Sequence, residues 1–152
     1  LCLCPKKGRH CKINILKNNK KSVLMMKVFS TYYDKVPELD KSAYTFVRVS
    51  RAEPPEWFSE AIGRYVDLSD TFGPTKAMLE ECHPTKDWGT FEPRYKNEIL
   101  GALDKVATLG LLNKIYSEHS NRPLLLVCYE APPENCHRHL IGDFLNIDVQ
   151  EI

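Results

Sequence analysis

Alternation of apolar and polar positions becomes organised from about residue 27 onward. Lys27 to Tyr33 (KVFSTYY) and Tyr44 to Ser50 (YTFVRVS) are rich in β-branched and aromatic side chains. Pro37 and polar residues separate them, which predicts two strands. Pro123 to Tyr129 (PLLLVCY) contains an unbroken apolar run, the pattern of a strand covered on both faces in the middle of a parallel sheet. Tyr65 to Leu68 fits a fourth, short strand. Across Pro93 to Ser117, Tyr95, Ile99, Leu103, Val106 and Leu109 or Gly110 recur at steps of four and three, making one helical face, with Gly110 expected to divide two helices. A final helix is predicted over Cys136 to Asn146, after a turn in which Asn135 is placed to act as N-cap. Strands alternating with helices predict an α/β fold: a small, mainly parallel, Rossmann-like sheet flanked by helices.

Composition narrows the class. The 152 residues are 43% hydrophobic and 27% charged, as in globular chains. A domain of this size buries roughly two-thirds of its unfolded surface and needs no staple. Six Cys are too dilute for a disulfide scaffold, and no apolar run approaches the roughly 20 residues of a membrane helix. A cytoplasmic protein with no membrane partner is the expectation.

Charge divides the chain. Residues 1–25 hold seven Lys or Arg and no acid, whereas residues 26–152 hold fourteen basic and twenty acidic side chains. Residues 1–25 therefore read as a basic, solvated tail and residues 26–152 as one domain. Cys2, Cys4, His10 and Cys11 carry zinc-binding groups without the usual second knuckle. Met25 and Met26 immediately precede the first strand, so translation is expected to start there; a nucleic-acid-binding arm is the alternative. The acidic body lacks the basic stripe of a general duplex binder, leaving nucleic acid a partner only through local pockets.

The chemistry concentrates in Leu124 to Asn146 (LLLVCYEAPPENCHRHLIGDFLN). Ligands of open α/β sheets sit at the carboxyl ends of strands, facing helix N-termini. Cys128 and Glu130 fall at that edge, as do Tyr32 and Tyr33, and Ser50 and Arg51, at the ends of the other strands. Helical spacing puts Cys136, His137, Leu140, Ile141 and Phe144 on one face, with His139 opposite and paired to Asp143. Gly142 is expected to let the helix approach the sheet.

His137 and Arg138 in a first turn oppose the helix dipole and call for a nearby negative group. That group is either internal, Glu130 or Glu134, or an anionic ligand held by Arg138 and backbone N–H groups. Glu130 is the candidate general acid or base, because a carboxylate at a strand end among apolar walls has a raised pKa. Cys136 and Cys128 are candidate nucleophiles or a redox pair. A zinc site from Cys128, Cys136 and His137 is disfavoured, on the argument that adjacent Cys136 and His137 do not aim easily at one ion. No metal or cofactor is therefore expected. Cys82-His83-Pro84 reads as an incidental loop, Trp57 and Trp88 as core or base-stacking residues, and Arg48 as a solvent-side residue or a buried anion clamp.

Over about Met26 to Asn146 the chain resembles the family called domain of unknown function 488 (DUF488), particularly its short phage and bacterial members. Cys128-Tyr129-Glu130, a short Pro-containing turn and Cys136-His137-Arg138 are similar to that family's C-x-E and C-H-R signature. MKVFSTYYDKV and VRVSRAEPPEW resemble its two early strands, except that Phe46-Val47-Arg48 lacks the Asp of the commoner Asp-Val-Arg. The resemblance implies a compact α/β fold with clustered signature residues, and no established reaction.

The functional expectation is an enzyme acting on a nucleotide, a nucleic-acid base or another small anionic substrate. Arg138, Arg51, Ser50 and Tyr33 would bind it, Glu130 and His137 would move protons, and Cys136 or Cys128 would attack or support. A non-catalytic nucleotide- or anion-binding module and a Cys128/Cys136 redox switch are the alternatives.

Overall fold

The computed structural model describes residues 26–82 and 87–152. The basic tail with its Cys2, Cys4, His10 and Cys11, and also His83 and Pro84, lie outside the described residues. Five strands form one all-parallel sheet: β1 (Val28–Tyr32), β2 (Thr45–Arg48), β3 (Val66–Asp67), β4 (Leu124–Cys128) and β5 (Val149–Glu151). A 3-10 turn (Tyr33–Glu38) follows β1. The helices are α1 (Glu56–Ile62), α2 (Ser69–Phe72), α3 (Lys76–Cys82), α4 (Trp88–Arg94), α5 (Lys105–Glu118) and α6 (His137–Leu145). Among the described residues, no helix is long and apolar enough to cross a membrane.

The sheet order is β3-β2-β4-β1-β5. β4, as its apolar run predicts, takes the centre, with all five residues buried. Its two-residue period splits the core. Leu124, Leu126 and Cys128 face the layer holding Phe72, Met78, Tyr95, Leu112 and Ile141, whereas Leu125 and Val127 face Phe46, Tyr33 and Phe58.

The register aligns Tyr32 with Cys128 and Arg48 with Val127, so β1, β2 and β4 end along one edge. The connection leaving β2 runs outward to β3, whereas that leaving β4 passes over β1 to β5. Chain leaving two adjacent strands in opposite directions opens a crevice at their carboxyl ends.

Helical details depart from the sequence reading. Gly110 lies within α5; the break falls at Leu103–Asp104, where Asp104 turns extended and its carboxylate accepts from the Ala107 N–H at 2.7 Å. That cap resets the helical phase. Thr108, Leu112 and Ile115 are buried, and Val106 is 79% exposed. Helix α6 begins one residue later than predicted, with Cys136 rather than Asn135 at the N-cap position. Gly142 gives α6 its close approach: a Cβ there would meet Val149 Cγ2 at 2.9 Å and the Ile147 carbonyl at 3.2 Å. Cys82 ends helix α3, buried, instead of lying in a loop. Arg48 is buried and clamps its own neighbourhood, donating to Glu53, Asp67 and the carbonyls of Arg51 and Ala52.

Candidate functional site

Strand period and helix start together aim four reactive side chains at one point. Cys128 closes β4 on the face that packs against α6, and its thiol donates to Glu130 Oε2 at 3.4 Å. Cys136 is extended (φ −141°, ψ 142°) and makes no side-chain cap, which leaves its thiol to donate to the same Oε2 at 3.0 Å. His137 Nε2 bonds the Val49 carbonyl at 2.9 Å. A carbonyl only accepts, so Nε2 carries a hydrogen. Nδ1 is left facing both sulfurs at 3.9 Å.

The sulfurs and Nδ1 all lie within 4.8 Å of one another. The sequence argument against convergence of Cys136 and His137 is thereby overturned. Cys136 is extended and His137 opens the helix, so the two side chains are not at helical spacing and both reach the same point.

Burial and neighbouring charge shift each member of the cluster. Burial raises the Glu130 pKa, and negative charge on Cys136 raises it further. Burial opposes the Cys136 thiolate, but the Cys128 thiol, the His137 imidazole and Arg138 outweigh it, so Cys136 is pulled down. Cys128 is pushed up by its bond to Cys136 and by burial. Burial disfavours charged His137, yet Cys136 and the Val49 carbonyl outweigh it and raise its pKa.

Arg138 takes a different place from the predicted one. It is 0% exposed and donates through Nε and Nη2 to the Glu151 carboxylate at 3.2 and 2.6 Å, and through Nη1 to the Glu130 carbonyl at 2.7 Å. The negative group that pairs with Arg138 at the helix start is thus Glu151. Pairing of β5 with β1 sets Glu151 beside Ser30 and delivers it. The same carboxylate accepts from His139 at 3.1 Å, replacing the expected Asp143 partner.

A cavity of about 500 Å³ opens over the cluster. Six expected site residues line it: Ser50, Arg51, Cys128, Glu130, Cys136 and His137. Arg138 and Tyr33 do not. Tyr33 packs on the other side of the sheet, its hydroxyl 2.8 Å from Ser50 Oγ and its ring 5.0 Å from Phe58. The Arg51 guanidinium, 3.6 Å from Asp70, is partly exposed. The opposite wall comes from segments that the sequence reading left unassigned or outside the site: Leu79 and Cys82 of α3, and Trp88 and Phe91 of α4, whose rings stack at 5.3 Å. The sequence reading offers Trp88 as a core or base-stacking residue, and an apolar step from Trp88 through Phe91 to Tyr95 is the further signal in that segment. Trp57 packs with the second core face, away from the cavity.

The family model described as the active DUF488-N3 subclade, DUF488-N3a, matches residues 33–148. No curated protein and no solved structure matches the chain.

Proposed function

This chain belongs to the DUF488 family, and from that premise we propose that it is an enzyme acting on a nucleotide, a nucleobase or a similar small planar anionic molecule. The observation that carries the reading is the convergence of two thiols, a carboxyl and an imidazole on one cavity wall. Buried titratable groups whose environments push their pKa values in different directions are the usual equipment of acid–base chemistry. The description of the subclade as active is in keeping with this.

The walls suggest how a substrate sits. Trp88 and Phe91 offer an aromatic surface to a planar ring, and Arg51 at the margin offers a cation to a phosphate or carboxylate. Arg138 takes no part in binding, because its donors are committed to Glu151 and the Glu130 carbonyl. Its part is to hold the chain between β4 and α6. Glu130 moves the proton, and the sulfurs behind it attack or support.

The test is turnover of a panel of nucleotides, nucleosides and bases, followed by mass spectrometry. The full chain should consume at least one compound, and Glu130→Gln should bind it while losing about 100-fold or more in turnover. Equal turnover by the variant, or none by the full chain on any compound it binds, would remove the catalytic reading.

A further inference from the structure

We infer that Cys128, Cys136 and His137 form a zinc site with an open fourth position facing the cavity. Zinc takes Cys sulfur at about 2.3 Å and His nitrogen at about 2.0–2.1 Å, so tetrahedral binding puts its donor atoms about 3.5–3.8 Å apart. Both sulfurs stand 3.9 Å from His137 Nδ1, and no pair among the three donors exceeds 4.8 Å. Closing onto an ion therefore asks for side-chain adjustments of less than about 1 Å, without rebuilding the backbone.

Two further observations point to a metal. His137 donates Nε2–H to the Val49 carbonyl at 2.9 Å, which fixes the ring and turns Nδ1 towards the two sulfurs, the nitrogen that would ligate an ion placed between them. A ligating histidine is commonly oriented in this way by an outer carbonyl. All three donors are buried, yet all line the cavity. Three protein ligands with access for a fourth is the arrangement of catalytic zinc, whereas structural zinc is closed by four protein ligands. Thiolate and imidazole donors also favour zinc over magnesium or calcium, which take oxygen.

Loading balances without redox change. One Zn²⁺ displaces the two thiol protons to solvent, two thiolates cancel its charge, and water takes the open position. Glu130, which accepts from both thiols in the metal-free chain, then accepts from that water.

The use of the metal in catalysis rests on the reading above; its binding does not. With the ion in place, Cys128 and Cys136 support the reaction without attacking. Zinc held there would supply a water of lowered pKa for hydrolysis; Glu130 would take that water's proton and pass it to the departing amine or alcohol, so water would be the only co-reactant.

The experiment uses the full chain carrying Cys2→Ser, Cys4→Ser and Cys11→Ser, which removes the competing amino-terminal thiols. After incubation with zinc alone and gel filtration, about one zinc per chain should remain, and X-ray absorption should read two sulfur and two nitrogen or oxygen neighbours. Cys136→Ser and His137→Gln should each weaken binding by more than the roughly 10–100-fold typical of losing an outer partner. Cys82→Ser, which removes a thiol outside the three donors, should leave the zinc stoichiometry and the two-sulfur shell unchanged. No retained zinc, a coordination shell without two sulfurs, or unchanged affinity in the two ligand variants would overturn the site. The absorption measurement decides even where a variant fails to fold. Zinc retained without turnover of any substrate defeats the catalytic reading alone; turnover by metal-free chain defeats the metal's catalytic part alone.

Discussion

Replacing Glu151 with Gln tests the reasoning most directly, because it neutralises the partly exposed partner of a fully buried cation while keeping its size. Arg138 is 0% exposed, and its guanidinium makes two bonds to the Glu151 carboxylate, at 2.6 and 3.2 Å. With charge centres about 4 Å apart and an effective dielectric of about 20, their attraction is about 4 kcal/mol. Removing one member of a buried pair costs about 3–5 kcal/mol, because the remaining charge stays desolvated. Glu151→Gln should therefore lose about 3 kcal/mol in urea unfolding at neutral pH and melt roughly 10 °C lower.

The pH dependence has a definite sign. Burial alone would raise the Glu151 pKa, but Arg138 and Ser30 outweigh it and hold the carboxyl below its ordinary range. A lowered folded pKa contributes stability that is fully present above the unfolded value and is lost as pH falls through the folded one. The gap between wild type and Glu151→Gln should accordingly shrink on acidification from about pH 7 to about pH 3. His139→Ala, which removes only the exposed partner of the same carboxylate, should cost less than about 1 kcal/mol. A loss below about 1 kcal/mol in Glu151→Gln, or a gap that does not narrow with acid, would refute the assignment of Arg138 as a structural cation.

Three further outcomes follow from the packing. Asp104→Ala removes the carboxylate that caps α5 at 2.7 Å and should cost about 1 kcal/mol by denaturant titration, with the loss concentrated in hydrogen exchange of that helix's first turn. Gly142→Ala places a methyl 2.9 Å from Val149 Cγ2 and should destabilise by about 1–3 kcal/mol; Val149→Ala in the same chain should return part of that loss. Tyr33→Phe removes the 2.8 Å bond to Ser50 and should cost about 1 kcal/mol by denaturant titration.

Much of the frame was legible in one dimension. Four strands could be seen as stretches of β-branched, aromatic or unbroken apolar residues, and the parallel sheet followed from the run now found in β4. β5 escaped notice because two of its three residues are exposed and it pairs on one edge only. The helices between β2 and α5 escaped because several are only four to seven residues long, too short for a helical period to repeat. In α5 the period was visible but its phase was wrong, because the local Asp104 cap restarts the helix.

The same division runs through the candidate site. Chain order alone determined that Cys128, Glu130, Cys136 and His137 share a strand end and a helix start, because strand and helix periods are local consequences of backbone geometry. Only the tertiary structure decided which charges are spent on the fold and which face the cavity. Arg138 finds Glu151 across the sheet edge, His137 finds the Val49 carbonyl 88 residues away, and Trp88 and Phe91 close the far wall. Those choices depend on which groups lose water together, and desolvation is a property of three-dimensional neighbours rather than of spacing along the chain.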